Sequence, residues 1–282
     1  VIDTRKGIGS TAAAFIVISS GGSVGQYGPL VHFGSTIGLF LKKYFTLRMH
    51  PDILIGCGVA AAISAGFNAP LAGVIFAHEA ILRHFSLRAI APIFIASISA
   101  SAFDEYFFGT AGNMFELSQA VPPLNDILPI FIFLGPIFAI TAVIFMYSLR
   151  SASIFAAKSG HYKPLLPFIA AFTCGSVGIF LPEILGLGVE TINELISGNI
   201  SYGKVSLLLI AKITMTALCI GFGLFGGVFS PALFIGVSVG SLTAAILYNF
   251  GISGAEQVVI ISGMAAVGAS VIGAPIASVL IV

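Results

Sequence analysis

The chain has 282 residues, of which 57% are hydrophobic and only 8% are charged, and its formal net charge is +1. A soluble domain carries about 25% charged residues, so this composition sets aside a soluble enzyme and predicts a chain embedded in lipid. The near-neutral balance gives no reason to expect nucleic acid as a partner. The sequence has no nucleophile pair or metal-ligand spacing, and we expect neither enzymatic activity nor a cofactor.

Three cysteines, Cys57, Cys174 and Cys219, lie within apolar runs and form no Cys-x-x-Cys pair. We expect them to behave as buried small hydrophobes rather than as disulfide or metal partners. The first residue, Val1, is not Met, and the last residues lie inside an apolar run without flanking charge. The sequence is therefore expected to be a piece of a longer protein.

Apolar runs separated by short polar stretches follow one another along the whole chain. Their bounds are 11–20, 30–41, 53–65, 71–82, 90–103, 127–149, 165–181, 205–221, 232–250 and 258–270, with an eleventh run beginning at residue 274. Several are shorter than the roughly 20 residues that a straight membrane span needs. The pattern predicts an all-α, polytopic membrane protein with broken and half-length helices, typical of transporters whose irregular backbone lines a binding site.

The polar connections alternate in charge. Basic residues concentrate at 83–88 and 150–163, and acidic residues concentrate at 104–126 and 183–199. Because basic loops favour the cytoplasmic side, we predict that the two basic connections lie inside and the two acidic ones outside. Lys204, which follows the second acidic connection, fits this scheme least well.

A unit near the start of the chain resembles a second unit near its end. The matched positions are Gly21, Gly25, Tyr27, Pro29, Gly34 and Gly38 with Gly223, Gly227, Phe229, Pro231, Gly236 and Gly240, followed by Gly58, Ala60, Ala61, Ala69, Pro70 and Val74 with Gly263, Ala265, Ala266, Ala274, Pro275 and Val279. Duplication is typical of transporter folds. We predict a single transmembrane domain over 1–282 with an internal repeat of approximately 1–103 and 127–282. The sequence alone leaves open whether the copies are inverted.

Two of the matched segments, 25–29 (GQYGP) and 227–231 (GVFSP), are Gly-rich, contain proline and precede a long apolar run. Glycine allows close approach of the backbone to a ligand, and proline suits the first turn of a helix. Each segment therefore predicts a loop that leads into a helix N-terminus, where free N–H groups and the helix dipole attract an anion. The alternative, that both are only breaks for helix packing, stays open. The candidate anion-binding backbone amides are those of Gly25, Gln26, Tyr27, Gly28, Gly227, Val228 and Phe229.

These segments carry a resemblance to a known family. Residues 25–32 are similar to the signature Gly-Lys/Arg-Glu-Gly-Pro-x-Val-x of the CLC chloride channels and transporters, and residues 226–236 resemble that family's Gly-x-Phe-x-Pro segment. Residues 67–73 and 181–188 also look like CLC segments. The resemblance implies the CLC fold, which is an inverted repeat within each subunit of a homodimer with one pore per subunit. It also implies chloride or another small anion as substrate and a multi-pass location in a lipid bilayer, which we expect to be a bacterial inner membrane.

Two parts of the family's anion pathway are not found in the sequence. The Gly-Ser-Gly-Ile-Pro segment, whose serine contacts the central chloride in the family, is expected before residue 1, and the pore tyrosine is expected after residue 282. The parts of the family's chloride site that remain are the amides of Val228 and Phe229, together with those of Gln26, Tyr27 and Gly28.

Two departures from the family's pattern bear on the mechanism. The family's gating glutamate falls on Tyr27, and the inner proton-handling glutamate of its exchangers falls on Ala80 when residues 76–80 are aligned with Phe-x-x-Glu-Glu. A phenol, with an ordinary pKa near 10, stays neutral at physiological pH. Because both proton acceptors are replaced, we predict passive chloride conduction without proton coupling. Glu79 occupies the first of the two glutamate positions, which we interpret as structural.

Other interpretations stay open. An alignment shift of one residue would put Glu79 at the inner position, and His78 with Glu79 could form another proton path, because ionisable residues inside a membrane are commonly functional. The protein would then be a proton-coupled exchanger, or it could be a CLC-like membrane protein that does not transport. Tyr27, the predicted gate, could either donate a hydrogen bond to the anion or plug the outer vestibule.

Two further polar residues lie in or near apolar runs. For His32 we favour a packed or hydrogen-bonded role over pH sensing. For Lys212 we favour a snorkelling or interhelical contact over binding of the anion.

Overall fold

The computed structural model describes residues 4–45, 49–109, 115, 123–198, 200–252 and 254–282. Within these ranges it contains twelve α-helices, one π-helix and two short 3-10 helices, and the extended backbone forms one bridge, between Gly25 and Gly227. The α-helices are α1 Thr4–Ser19, α2 Tyr27–Phe45, α3 Pro51–Phe67, α4 Pro70–Phe76, α5 Leu87–Phe108, α6 Leu124–Lys158, α7 Leu166–Phe180, α8 Val189–Ile196, α9 Tyr202–Gly221, α10 Phe229–Asn249, α11 Glu256–Ile272 and α12 Pro275–Ile281. The π-helix is Ala77–Leu82, and the 3-10 helices are Gly160–Leu165 and Pro182–Ile184. The predicted all-α class is confirmed.

The helices divide into membrane-spanning and half-length elements. Five segments are long and apolar enough to cross a membrane: Leu87–Phe108, Ile127–Lys158, Gly160–Phe180, Tyr202–Gly221 and Phe229–Asn249. Helices α4 and α12 have only 7 residues each and extend about 10 Å at the α-helical rise of about 1.5 Å per residue. The chain is therefore a multi-pass integral membrane protein, and the predicted mixture of full and half-length helices is confirmed.

The longest helix, α6, extends beyond the apolar run 127–149 that predicted it. It has 35 residues and continues past Arg150 to Lys158. Hydropathy marks the part of a helix that faces lipid, whereas the backbone hydrogen bonds continue into the polar end. The sequence therefore predicted the position of the helix but not its length.

The predicted repeat is visible in equivalent helices. Helix α2 begins at Tyr27 and α10 at Phe229, which the sequence alignment matches. Helix α4 begins at Pro70 and α12 at Pro275, which the alignment also matches. Helices α2–α4 thus correspond to α10–α12, while the exact limits of the two copies stay a prediction.

The links before α4 and α12 have the same backbone conformation. Asn68 and Gly273 are both left-handed, with φ of 51° and 75°. The next residues, Ala69 and Ala274, have φ and ψ of −128° and 79°, and of −129° and 73°. A left-handed residue commonly ends a helix. The repeat is therefore preserved in the backbone, even where Asn replaces Gly.

Matched glycines allow α2 to touch α3 in the first copy and α10 to touch α11 in the second. A side-chain carbon on Gly34 of α2 would collide with the carbonyl group of Gly58 in α3. In the second copy, a side-chain carbon on Gly236 of α10 would collide with the carbonyl group of Gly263 in α11. Only glycine permits this backbone-to-backbone contact, and membrane helices commonly associate through such small residues.

The predicted inner and outer connections lie at opposite helix ends. The basic connection 83–88 leads into α5, and the acidic connection 104–126 begins in the last turn of the same helix. Residues 110–114, 116–122 and 199 of the two acidic connections lie outside the described residues. The assignment of the two sides to inside and outside stays a prediction.

Lys204, which fits the charge pattern least well, has a local explanation. Its ammonium group forms an ion pair with Oε1 of Glu183, so the lysine accompanies the acidic connection. Burial opposes ionisation of the Glu183 carboxyl, but the hydrogen bond and charge of Lys204 outweigh burial and hold the pKa of that carboxyl below its ordinary value.

Candidate anion site

The two Gly-rich segments meet in space. Residues 25–29 are here called the first anion loop, and residues 227–231 the second anion loop. The Gly25 amide donates to the Gly227 carbonyl oxygen at 2.7 Å, and the Gly227 amide donates to the Gly25 carbonyl oxygen at 2.6 Å. This reciprocal exchange defines an antiparallel pair, so the two copies face each other in opposite directions, as in an inverted repeat.

The bridge corrects part of the predicted donor set. We predicted that the amides of Gly25 and Gly227 bind the anion, and this was wrong, because each N–H group already donates to the other loop. Both glycines serve close backbone contact instead. A side-chain carbon on Gly227 would lie 2.8 Å from the Gly28 nitrogen, and one on Gly25 would lie 3.0 Å from the Gly227 carbonyl oxygen.

The remaining predicted donors lie around the bridge at two helix starts. Helices α2 and α10 begin at Tyr27 and Phe229, two residues after the bridging glycines. The first N–H groups of a helix have no intrahelical acceptor, and the helix dipole gives this end a partial positive charge. Within the described residues, no backbone acceptor is found for the amides of Gln26, Gly28, Val228 and Phe229.

Tyr27, at the gating position, is buried and held by neighbours. Its hydroxyl donates to the Gly66 carbonyl oxygen at 3.0 Å. Its ring stacks on Phe67, with centroids 3.7 Å apart and planes 15° apart, and meets the ring of Phe229 edge-on at 5.8 Å. Because its one hydroxyl proton is donated to Gly66, Tyr27 does not donate it to an anion in this conformation.

A largely apolar cavity of about 290 Å³ adjoins the two loops. Tyr27 and Gly28 line it from the first loop, and Val228 and Phe229 line it from the second. The rest of the lining consists of apolar side chains from α2, α3, α4 and α11. Backbone amides in an apolar cavity suit an anion that must bind without a full positive charge and then leave.

Ser230, in the second anion loop, was missed by the sequence analysis. It is the second residue of α10, it is buried, and its hydroxyl oxygen has no hydrogen-bond partner among the described residues. The available signal was a hydroxyl residue at a predicted helix N-terminus. That signal is weak because serine is common in such positions.

At the inner position, Glu79 caps a helix of the second copy. One carboxylate oxygen accepts from the Ile276 amide at 3.2 Å, and the other accepts from the Ala277 amide at 2.9 Å. Both amides belong to the first turn of α12, where a carboxylate interacts favourably with the helix dipole. Ala80, the next residue along the π-helix, carries no titratable group. These contacts support the structural interpretation of Glu79.

His78 lies in the same π-helix and is 1% exposed. Its Nδ1 lies 3.1 Å from the His84 carbonyl oxygen, and its ring stacks on Phe85 with centroids 5.2 Å apart. Because a carbonyl oxygen only accepts, Nδ1 carries the proton of the neutral ring and Nε2 is an acceptor. Nε2 is buried and has no partner among the described residues.

The contacts of the two other polar residues agree with the roles favoured from the sequence. His32 Nδ1 lies 3.3 Å from the Ser10 hydroxyl. Lys212 is fully buried, and its Nζ donates to the carbonyl oxygens of Ile184 at 2.9 Å and Gly186 at 3.0 Å. Lys212 thus joins α9 to the turn after α7 instead of snorkelling towards water.

The cysteines agree with the expectation in part. All three are free thiols, and Cys174 and Cys219 are buried, whereas Cys57 is only half-buried. The Cys174 thiol donates to the Gly21 carbonyl oxygen at 3.9 Å, a contact between α7 and the segment before the first anion loop that no local motif predicts.

Comparison with known proteins agrees with this geometry. The sequence model of the Voltage gated chloride channel family matches residues 1–282, so the chain belongs to this family. It is 32% identical over 280 residues to the H(+)/Cl(−) exchange transporter ClcA of Yersinia pestis, covering 94% of this chain and 57% of that protein. It is 29% identical over 282 residues to ClcA of Vibrio parahaemolyticus, covering 94% and 59%.

Solved structures support the same fold. A CLC-type fluoride/proton antiporter superposes with a TM-score of 0.76 at 25% identity, covering 91% of this chain and 64% of that one. A slow cyanobacterial Cl−/H+ antiporter superposes with a TM-score of 0.86 at 22% identity, covering 95% and 64%, and this likeness concerns the fold alone. The chain spans less than two thirds of the length of these four proteins.

Proposed function

We propose that the protein conducts chloride passively across a bacterial inner membrane, without coupling to protons. The observation that carries this proposal is the replacement of both proton-handling positions of the family by Tyr27 and Ala80. Neither side chain can cycle between a carboxylate and a carboxylic acid. Chloride therefore has a candidate pathway, whereas the proton lacks its two usual acceptors.

The anion side of the proposal rests on two opposed helix N-termini. The amides of Gln26, Tyr27, Gly28, Val228 and Phe229 lie where the dipoles of α2 and α10 converge. No full positive charge from the two loops is needed, which suits fast release. The proposed anion ligands are these five amides.

The gate of the proposed pathway is the ring of Tyr27. The ring lines the cavity at the loops and stacks on Phe67. Its hydroxyl is held by Gly66. These contacts favour the plug over the hydrogen-bond donor, because a hydroxyl bound to the protein is not available to the anion.

On the inner side, the contacts of Glu79 favour the absence of coupling. A proton carrier must exchange its proton with water or with another acceptor. The Glu79 carboxylate instead accepts two amide hydrogen bonds from the start of α12, so both of its oxygens are engaged by the protein backbone.

A second candidate function is proton-coupled exchange through His78. The unpartnered, buried Nε2 of this residue favours it, because such a nitrogen can accept a proton inside a membrane. The two ClcA relatives are named H(+)/Cl(−) exchange transporters. Glu79 would then be the neighbouring carboxylate that receives or delivers the proton.

Chloride efflux from liposomes that hold the full-length protein separates these candidates. With potassium and valinomycin present and no proton shunt, passive conduction releases chloride readily while the internal pH stays constant. Obligatory exchange instead moves protons in the direction opposite to chloride, so that the internal pH falls as chloride leaves, and chloride efflux accelerates when a protonophore is added. In that case His78→Ala abolishes proton movement, and the neighbouring His84→Ala variant serves as its control. A full-length protein without any chloride flux would contradict both candidates and favour a non-transporting relative.

The family resemblance also supports a homodimer with one pore per subunit. The mass of the purified full-length protein in detergent, measured by light scattering with correction for bound detergent, tests this assembly. A monomer mass would contradict it.

A further inference from the structure

The hydroxyl group of Ser230 stands out among the hydroxyl groups of α10. Ser238 and Thr243 lie further along the same helix and donate to the carbonyl oxygens of Phe234 and Val239, at 2.8 and 2.9 Å. Bonding of this kind to the preceding turn is the usual solution for a buried serine or threonine in a helix. Ser230 has no preceding helical turn to accept its proton, because the helix begins at Phe229.

The direction of the Ser230 side chain follows from helix geometry. The bond from Cα to Cβ tilts towards the N-terminal end of an α-helix, so the hydroxyl of Ser230 leans towards the start of α10. The amides of Val228 and Phe229, two of the proposed anion donors, lie at that end. The hydroxyl and the free amides therefore belong to one region.

The first anion loop packs its backbone closely against this helix start. A side-chain carbon on Gly25 would lie 3.1 Å from the Ser230 nitrogen, so any larger residue there would press against the first turn of α10. The repeat matches Ser230 with Gly28, which has no side chain at all.

The two loops contain two hydroxyl groups, and their bonding differs. The Tyr27 hydroxyl donates to Gly66. The Ser230 hydroxyl is buried and without a partner in the described part of the chain. A buried donor that lacks a partner is unfavourable, and in native proteins it calls for an explanation such as a bound ion.

We propose that the Ser230 hydroxyl donates a hydrogen bond to the permeating anion and sets which anions the second anion loop prefers. This inference rests on the proposed function, since it names a side-chain ligand of the same anion site. A short hydroxyl donor bonds strongly to a small anion with concentrated charge, such as chloride. It bonds weakly to a large anion with diffuse charge, such as thiocyanate.

Calorimetric titration of the purified full-length protein with chloride and with thiocyanate tests the inference. Wild-type protein should bind chloride more tightly than thiocyanate. Ser230→Ala should weaken chloride binding by about tenfold, since it removes one charge-assisted hydrogen bond, and should leave thiocyanate binding nearly unchanged. Ser230→Thr keeps the hydroxyl and should recover most of the chloride affinity.

Ser238→Ala is the matched control. It removes a buried hydroxyl from the same helix, but one that already donates to the backbone, so the order and strength of anion binding should not change. Unchanged chloride affinity in Ser230→Ala, or equal losses for both anions, would overturn the inference and leave the proposed function standing. A wild-type preference for thiocyanate would overturn it regardless of how the variants fold. Binding of neither anion by the wild type would overturn the inference and the proposed function together.

Discussion

The two anion loops share a backbone and differ in their side chains. In both, a bridging glycine is followed two residues later by an aromatic residue that begins a helix. In the first loop the ring of Tyr27 lies against Phe67 and its hydroxyl is bound to Gly66. In the second loop the hydroxyl of Ser230 has no partner among the described residues. The duplicated backbone thus supplies two helix N-termini, and we propose that gating and anion preference come from the side chains that differ between the copies.

The largest expected loss of chloride flux comes from changing one of the two glycines that bridge the loops. Gly227→Ala puts a carbon 2.8 Å from the Gly28 nitrogen, which forces the loops apart. We expect a loss of chloride flux of about tenfold, because overpacking typically costs about 1–3 kcal/mol and about 1.4 kcal/mol corresponds to a factor of ten. We also expect a poor yield of monodisperse protein. Flux in liposomes and size-exclusion profiles in detergent measure the two effects.

Gly135→Ala is the control for this variant. Gly135 lies in α6 and has no neighbouring atom within 4 Å of an added carbon, so alanine there should be neutral or stabilising. If Gly227→Ala purifies and conducts like the wild type, the bridge does not hold the loops in their working arrangement.

The next effect distinguishes the first loop from the second. Tyr27→Ala removes the ring that lines the cavity and should raise chloride flux severalfold, whereas Tyr27→Phe keeps the ring and should leave flux unchanged. The Phe variant loses the hydrogen bond to Gly66, which should lower the free energy of unfolding by about 1 kcal/mol. An unchanged flux in Tyr27→Ala would contradict the plug.

A third prediction concerns the support behind the loops. Lys212 holds the turn that contains Ile184 and Gly186, and the Gly186 amide donates to Gly21 at the base of the first loop, at 3.4 Å. Lys212→Met leaves two carbonyl groups without this donor and should lower the free energy of unfolding by about 2 kcal/mol. Thermal unfolding in detergent measures the change.

Lys158→Met, at the exposed end of α6, provides the comparison and should change stability little. When the alignment of Gly21 with Gly223 is extended towards the N-terminus without a gap, Ser10 falls opposite Lys212. Ser10 donates to the Gly7 carbonyl oxygen in α1. The buried ammonium therefore supports only one side of the inverted repeat. Equal stability of Lys212→Met and wild type would show that the turn is held by other contacts.

The smallest effect is a pH-dependent one at the same turn. Because Lys204 holds the pKa of Glu183 below its ordinary value, the ion pair stabilises the folded state above the unfolded pKa of about 4.3 and loses that contribution as pH falls through the folded value. Lys204→Ala should lower the melting temperature slightly at pH 7, and the difference should vanish in acid. A difference that persists in acid or increases there would contradict the assignment.

Much of the fold could be predicted from local signals. Glycine and proline at 25–29 and 227–231 marked the starts of α2 and α10, and the matched prolines Pro70 and Pro275 marked α4 and α12. These signals work because backbone conformation at a helix start depends on a few adjacent residues. The length of α6 was not predictable in this way, because polar residues at its end are compatible with either helix or loop.

The site was predicted less completely because its contacts join distant parts of the chain. A glycine allows close approach of either a ligand or another backbone, so the sequence could not tell that Gly25 and Gly227 pair with each other. The cap that Glu79 provides for α12 also depends on tertiary packing. Ser230 became a candidate only when the structure showed which hydroxyl groups already have partners.

The central claim, passive conduction, is tested most directly by the voltage at which net chloride flux stops. Full-length protein in planar bilayers or liposomes is given a fixed chloride gradient, and the pH on one side is then changed by one unit. Passive conduction predicts that the zero-flux voltage stays at the equilibrium potential of chloride, with no response to pH. A shift by a substantial fraction of about 59 mV per pH unit would contradict the account and assign proton coupling to this protein.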